Sequence, residues 1–448
     1  MAAAFIGRLR HPQQTLALAL RPADHTDGVG SSAACRYSMM RSMDEPHRIL
    51  QPDSMVTGFV AGSAAGPIYV TSVARDPGSG LTQTTLSAVD LSGKVLWRRF
   101  FDGMTPMPRA TNGGSVWLGH HGPNGAALEE IGRDGSAIRT IAIAQDPDEQ
   151  LGAVVILHDG FCTAWTSGPP YRGARVDRRD ADGDCIWSTA IQPDQIAHHC
   201  IMEASAETGW VSRPKKPWIP GTFQFPLWEP LLVSGDRIMA SCQDVKSGLG
   251  VSYFLDTGKG RVINSTKPAH VGRKAILDRG EFLVGIQGYD EFATVQYNRE
   301  GGETTRWPTH GAMLTDRTGK LLGIELDNRT AAQPRLRILE RDGTLTDGPA
   351  LIGYHTTHPA LDRNGTAVFW RSGRLLTVDA ELALHELFMA KDDRSLASSR
   401  LLLLEDGIVA FMLGEELFIY HTTLGPLDDS VWPCGDCNLN GNPVAFAE

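Results

Sequence analysis

The 448-residue chain carries 42 Lys and Arg against 52 Asp and Glu, a net charge of −10, and 42% of its residues are hydrophobic. That acidity argues against a nucleic-acid backbone as the default partner, because phosphate binding relies on clustered Lys and Arg. No apolar run is long enough to cross a bilayer.

The first 48 residues show no hydrophobic periodicity and read as a disordered or mis-started tail, with Met39, Met40 and Met43 just ahead of the fold signal. Residues 1–43 hold five Arg, two Asp and no Lys or Glu, so the body is more acidic than the whole. The apolar stretch Thr15–Leu20 is too short for a secretory core. With seven cysteines, an odd number, and no convincing signal peptide, a cytoplasmic location is the simplest expectation.

From residue 49 one phrase recurs: a strand, a tight turn with Gly or Asp, and a second strand that often opens with Trp. Its clearest copy is Leu86-Ser-Ala-Val-Asp-Leu-Ser-Gly93-Lys-Val-Leu-Trp97. Related turns lie at Arg133-Asp134-Gly135, Asp182-Gly183-Asp184, Thr257-Gly258-Lys259, Glu300-Gly301-Gly302 and Arg341-Asp342-Gly343, with a weaker copy over Leu375–Phe388. Turn glycines 93, 135 and 183 are 42 and 48 residues apart, and 258, 301 and 343 are 43 and 42 apart. A period in the low forties with hairpin signals predicts an all-β propeller of four-stranded antiparallel blades. Eight units are discernible, with seven as the alternative count, because the last, from Arg400, is short. A strand near Arg48–Val60 or in the tail 422–448 is expected to complete it, since a ring closes by leaving no edge unpaired.

The Leu86–Trp97 phrase resembles the repeat of the quinoprotein (PQQ-dehydrogenase-like) propellers, which also include an outer-membrane assembly lipoprotein of that shape. The tail Val431-Trp-Pro-Cys-Gly-Asp-Cys-Asn-Leu-Asn-Gly441 is similar to a terminal segment of such propellers. The resemblance implies that Trp97, Trp187 and Trp307 pack between blades. It does not carry quinone chemistry across: those dehydrogenases hold PQQ under a vicinal Cys–Cys disulfide, and this chain has no adjacent cysteines. No bound PQQ is therefore expected.

Histidines fall repeatedly in the links between blades: His198, His199, His270, His310, His355 and His358, with His421 ending the last unit. Such links run over one face toward the central channel. His270, His310, His355 and His358 are candidate catalytic bases, and His198, His199, His310 and His358 candidate ligands of a divalent metal. Asp278, Asp316 and Asp362 lie slightly further on. The segment 203–230 breaks the rhythm and holds Trp210, Trp218, Phe223, Phe225 and Trp228 among prolines, a candidate ligand-stacking or docking surface. Cys434-Gly-Asp-Cys437 lacks the second pair a structural zinc site needs.

No phosphate loop, nucleophile elbow or His-Glu-x-x-His occurs. The sequence therefore reads as a non-catalytic binding module or scaffold for a protein or small polar ligand, using its funnel face and the 203–230 loop. The alternative is a lyase or hydrolase of a carbohydrate-like or other polar substrate, with a His-lined site at the channel.

Overall fold

In the computed structural model eight four-stranded antiparallel sheets stand around one axis. The structure describes residues 47–445 apart from residue 77 and segments 49–53, 123–124, 168–172, 192–199, 206–208, 215–222, 226–228, 245–248, 288–291, 326–332, 354–356 and 391–399. Blades one to three span Met55–Asp102, Arg109–Ile143 and Glu149–Ile191. Blades four to seven span Leu231–Ser265, Val271–Trp307, Gly311–Ala350 and Ala360–Met389. Within each blade consecutive strands pair from the channel outward.

Blade eight settles the count. Its three strands Leu402–Leu403, Ile408–Leu413 and Glu416–His421 take a fourth from the other end of the chain, His47–Arg48, which pairs with Leu417 and Glu416. The N-terminal strand thus closes the ring, and the C-terminal tail is left for another task.

The repeated turn works through its acidic residue. Oδ1 of Asp90, Asp134, Asp180 and Asp342 accepts the amide N–H two residues on, which fixes the turn before the next strand begins. The Trp of the phrase then fastens one blade to the next. Nε1 of Trp97 donates to Arg133 O at 2.7 Å, Trp187 to Thr257 O at 2.9 Å and Trp307 to Glu340 O at 2.7 Å, each in the hairpin turn of the following blade. A Cβ on Gly135 would sit 2.9 Å from the Trp97 ring, so the turn must be glycine for the indole to lie against it. Where Trp is missing, a different side chain makes the same bond: Arg139 reaches Ala181 O, and Asn264 reaches Gly301 O at 3.0 Å.

The tail runs through the channel and touches the ring blade by blade. Trp432 O accepts from Thr315 N at 3.0 Å and Pro433 O from Leu361 N at 2.7 Å, in blades six and seven. Leu439 O accepts from Ala61 N and Asn440 O from Ala110 N, both at 2.9 Å, in blades one and two. The Asn442 side chain brackets Ile156 of blade three, donating to its O and accepting from its N at 2.7 and 2.9 Å. Val444–Ala445 finally pairs in parallel with Val233–Ser234 as an extra strand inside blade four. Trp432 and Cys437 join the apolar cluster that includes Ala275 and Val284 of blade five. Blade eight is reached through Arg400, described below.

The segment that breaks the rhythm forms a separate two-stranded sheet, Cys200–Ser205 with Gly209–Pro214, and Phe223–Gln224 then pairs along the second strand of blade four.

Candidate functional site

The innermost strand of every blade starts at one mouth of the channel and ends against the tail. The residues at the starting end are polar and largely buried. Glu229 precedes the inner strand of blade four, and Arg273 and Lys274 lie in that of blade five. His310, His358 and Arg400 precede those of blades six, seven and eight, and Arg109 opens blade two. All are buried except Arg273, which is partly exposed.

Arg273, His358 and Glu229 form a relay. Nη1 of Arg273 bonds to Nε2 of His358, whose Nδ1 lies 3.6 Å from Oε1 of Glu229. A neutral imidazole protonated on Nδ1 satisfies both contacts, accepting from the guanidinium and facing the carboxylate. Burial, with the Arg273, Arg400 and Lys274 cations added, holds the His358 pKa well below the usual imidazole value and keeps the ring neutral. The other Glu229 oxygen accepts the Lys274 amide at 2.6 Å and lies 3.9 Å from Nζ. Burial pushes the Glu229 carboxyl up to about 7, against the pull of Lys274 and Arg273. Its backbone sits at φ 52°, a left-handed conformation unusual for a residue with a side chain.

His310 lies over the glycines of blade five. A Cβ on Gly285 would stand 2.7 Å from its Nδ1, so the ring lies flat on backbone that only glycine leaves open. Its Nε2 is 3.1 Å from Gln287 Oε1, and Nδ1 has no hydrogen-bond partner. Burial and Arg273 push its pKa down to about 4.

Two arginines bind this charged layer to the tail beneath. Arg400 donates to Phe59 O at 2.8 Å, to Asn438 O at 2.7 Å and to Gly435 O and Leu439 O. Arg109 donates to Val154 O at 2.8 Å and to Gly441 O. Asp436, buried at φ 59°, adds a carboxylate at the turn of the tail.

The structure brings His310 and His358 to the same channel mouth, both bordering Arg273. His270 is partly exposed just before blade five, and its carbonyl accepts from Gln287 N. His198, His199 and His355 lie outside the described residues, as do Trp218 and Trp228. The side chains of Trp210 and Phe223 are likewise not described. Phe225 is buried in the apolar cluster of blades three and four, where it supports the ring rather than facing a ligand. Among the described residues no group of three or more His, Cys, Asp or Glu is placed to hold a metal ion. At His358 the Nε2 lone pair already faces a guanidinium. His421 ends the third strand of blade eight, at the opposite end of the barrel of strands. Asp316 and Asp362 also stand at that far end, each accepting turn amides, and Asp278 lies in the equivalent turn of blade five. The Cys434 and Cys437 thiols are buried and pushed up to about 11 and 12, so they fill space in the tail.

Glu229, Arg273, Lys274, Arg400 and Arg109 escaped the sequence reading. The signal was positional: like the histidines, they occupy the start of an inner strand, whatever their type.

The raised Glu229 pKa has a definite sign. The folded state holds this proton more tightly than the unfolded chain, so its contribution is full below about pH 4.5 and is lost as pH rises through about 7. Glu229→Gln should flatten the stability decline between those values, whose limiting slope is about 1.4 kcal/mol per pH unit for one proton. Urea denaturation across pH 4.5–8 measures it. An unchanged profile would show that Glu229 is ionised throughout.

No family profile matches this chain, and no curated protein matches it. Solved structures do. The Dos1 propeller superposes with a TM-score of 0.52 at 10% identity, covering 84% of this chain and 95% of that one. Virginiamycin B lyase from Staphylococcus aureus, with quinupristin, gives 0.43 at 9% identity over 84% of this chain and 98% of the other. A chain of the mitotic checkpoint complex gives 0.43 at 11% identity, covering 85% of this chain and all (100%) of that one. At such identities the likeness is one of fold, and the fold is an eight-bladed β-propeller.

Proposed function

We propose that this chain is a non-catalytic binding module that presents its channel mouth and the 203–230 segment to a protein or small polar ligand. The observation that carries the reading is the tail. It fills the channel and touches each blade, so the ring has a rigid, packed centre and offers its faces rather than a bore. A cavity of about 60 Å³ between blades six and seven, lined by Asp316, Leu336 and Val378 among others, is far smaller than the ~300–1,000 Å³ of small-molecule pockets. Free thiols at Cys162, Cys242, Cys434 and Cys437 support a reducing, cytoplasmic setting. The Asp-capped turn and the Trp contact between blades support the quinoprotein-like assignment of the repeat.

The test is a chain in which residues 206–222 are replaced by a short Gly/Ser linker. It should keep its melting temperature within about 2 °C, because the sheet Cys200–Ser205 with Gly209–Pro214 pairs with no blade strand. It should also lose at least tenfold in affinity for the partner that the intact chain retains from its own cell extract. Undiminished retention by the linker variant would reject the segment as a docking element.

A second reading, a lyase or hydrolase, has one observation in its favour: a carboxyl titrating near neutrality beside an imidazole and a partly exposed guanidinium. In that reading Glu229 is the base and Arg273 the anion holder, with His358 between them; His270, His310 and His355 remain the further candidate bases. A divalent metal would need His198 and His199 to complete a site with His310. Turnover of a polar substrate, abolished by Glu229→Gln, would favour it over the module.

A further inference from the structure

The buried and partly buried arginines of this ring have two usual kinds of partner. Arg109, Arg371 and Arg400 are ringed by backbone carbonyls. Arg175, Arg178 and Arg179 meet the carboxylates of Glu149, Asp159 and Asp177. Arg273 differs from both groups: its hydrogen-bond partner is one imidazole nitrogen of His358. No carboxylate among the described residues lies within ion-pair distance of it. Its remaining N–H donors are not among the buried unpartnered atoms, and the residue, at the start of an inner strand, is partly exposed.

The charge count around it points the same way. Arg109, Arg273, Lys274 and Arg400 are four cations against at most two carboxylates, Glu229 and Asp436, a surplus of at least two positive charges with the histidines neutral. A buried surplus is costly unless something offsets it. Carbonyl dipoles do so for Arg109 and Arg400, and Glu229 does so for Lys274. Arg273 is left over.

A second donor stands nearby. Gln287 is exposed at the end of the second strand of blade five, its backbone N–H donated to the His270 carbonyl and its Oε1 beside His310. With Oε1 turned to His310, the side-chain NH₂ is available. His310 borders both residues: its ring covers Gly272, next to Arg273, and the Arg273 charge acts on it.

The geometry points to an oxyanion site at the channel mouth, in which the open fork of Arg273 and the Gln287 amide bind a carboxylate or phosphoryl group. A guanidinium fork matches two oxygens of either group, which makes Arg the residue suited to such recognition. Packed glycines under His310 and the Glu229 contact to His358 hold the donors in place before an anion arrives. The inference rests on the binding-module reading and gives the small polar ligand a chemical class.

The experiment is isothermal titration of the full chain with inorganic phosphate and, separately, with acetate, at ionic strength fixed by chloride. Saturable one-site binding of either anion is expected. Phosphate alone identifies a phosphoryl ligand, and acetate alone or both a carboxylate-type one. Arg273→Gln should weaken binding tenfold or more, and Gln287→Ala, at an exposed position, several-fold. The Gln287 variant carries the test if the Arg273 variant does not fold. No saturable binding, or binding that neither substitution weakens, overturns the site. The 206–222 replacement leaves this site intact, so partner capture and anion binding fail independently.

Discussion

Replacing Arg400 with Ala should cost about 3–5 kcal/mol and release the tail from the channel. The guanidinium is buried and gathers carbonyls from three tail residues, Gly435, Asn438 and Leu439, together with Phe59 of blade one. Without it these oxygens lose their donor in a place that water reaches poorly. Arg400→Lys keeps the charge but offers a single ammonium where a planar fork served several acceptors, so it should recover less than half of the loss. Urea denaturation gives the cost, and limited proteolysis gives the cause: cleavage within residues 425–445 should appear in the variant under conditions where the parent resists. A stable variant with a protected tail would show that the tail holds by its backbone bonds alone.

Trp307→Ala should be nearly as damaging, about 3–5 kcal/mol, from the opposite side of the ring. Trp307 is 0% exposed and joins blade five to the Glu340 carbonyl of blade six. Removing it opens a cavity between the blades and orphans that carbonyl. Trp97 makes the corresponding bond to Arg133 O from a half-exposed position, so Trp97→Ala should cost clearly less. Thermal melting of the two variants ranks them. Equal losses would mean that the indole hydrogen bond, and not burial, sets the value of these contacts.

These contacts explain what was legible in the sequence. A hairpin turn is a local event, and its Asp and Gly answer to backbone geometry within four residues, so each blade announces itself. The Trp positions were visible for the same reason, since the indole lies four to six residues past the turn glycine. Arg139 and Asn264 hid because the bond to the next turn needs only a donor, and several side chains supply one. The number of blades turned on whether two residues, His47 and Arg48, found an edge some 370 positions away, which no local pattern encodes.

The channel was harder still. His310 and His358 share one mouth because each ends a link between blades, just before an inner strand. Topology misplaced Asp316 and Asp362, which lie only a few residues beyond the same inner strands but at their far ends. One strand length separates a channel-mouth residue from a turn cap, and without strand boundaries the two look alike. The charged partners Glu229 and Arg273 carry no motif at all; they are defined by meeting at His358, from three separate blades.

The course of the tail also bears on how the ring is made. Propeller blades contact their neighbours, and such a chain behaves as a row of units whose stability adds from pair to pair. Here the residues from 425 to 445 touch all parts of that row and link units that never meet directly. They also leave the ribosome after every blade strand has done so. Until they do, blade eight has its edge strand waiting at residues 47–48 while the centre stays unfilled, so assembly of the hub falls after synthesis of every blade. A nascent chain halted before residue 425 would hold eight blades and no common centre.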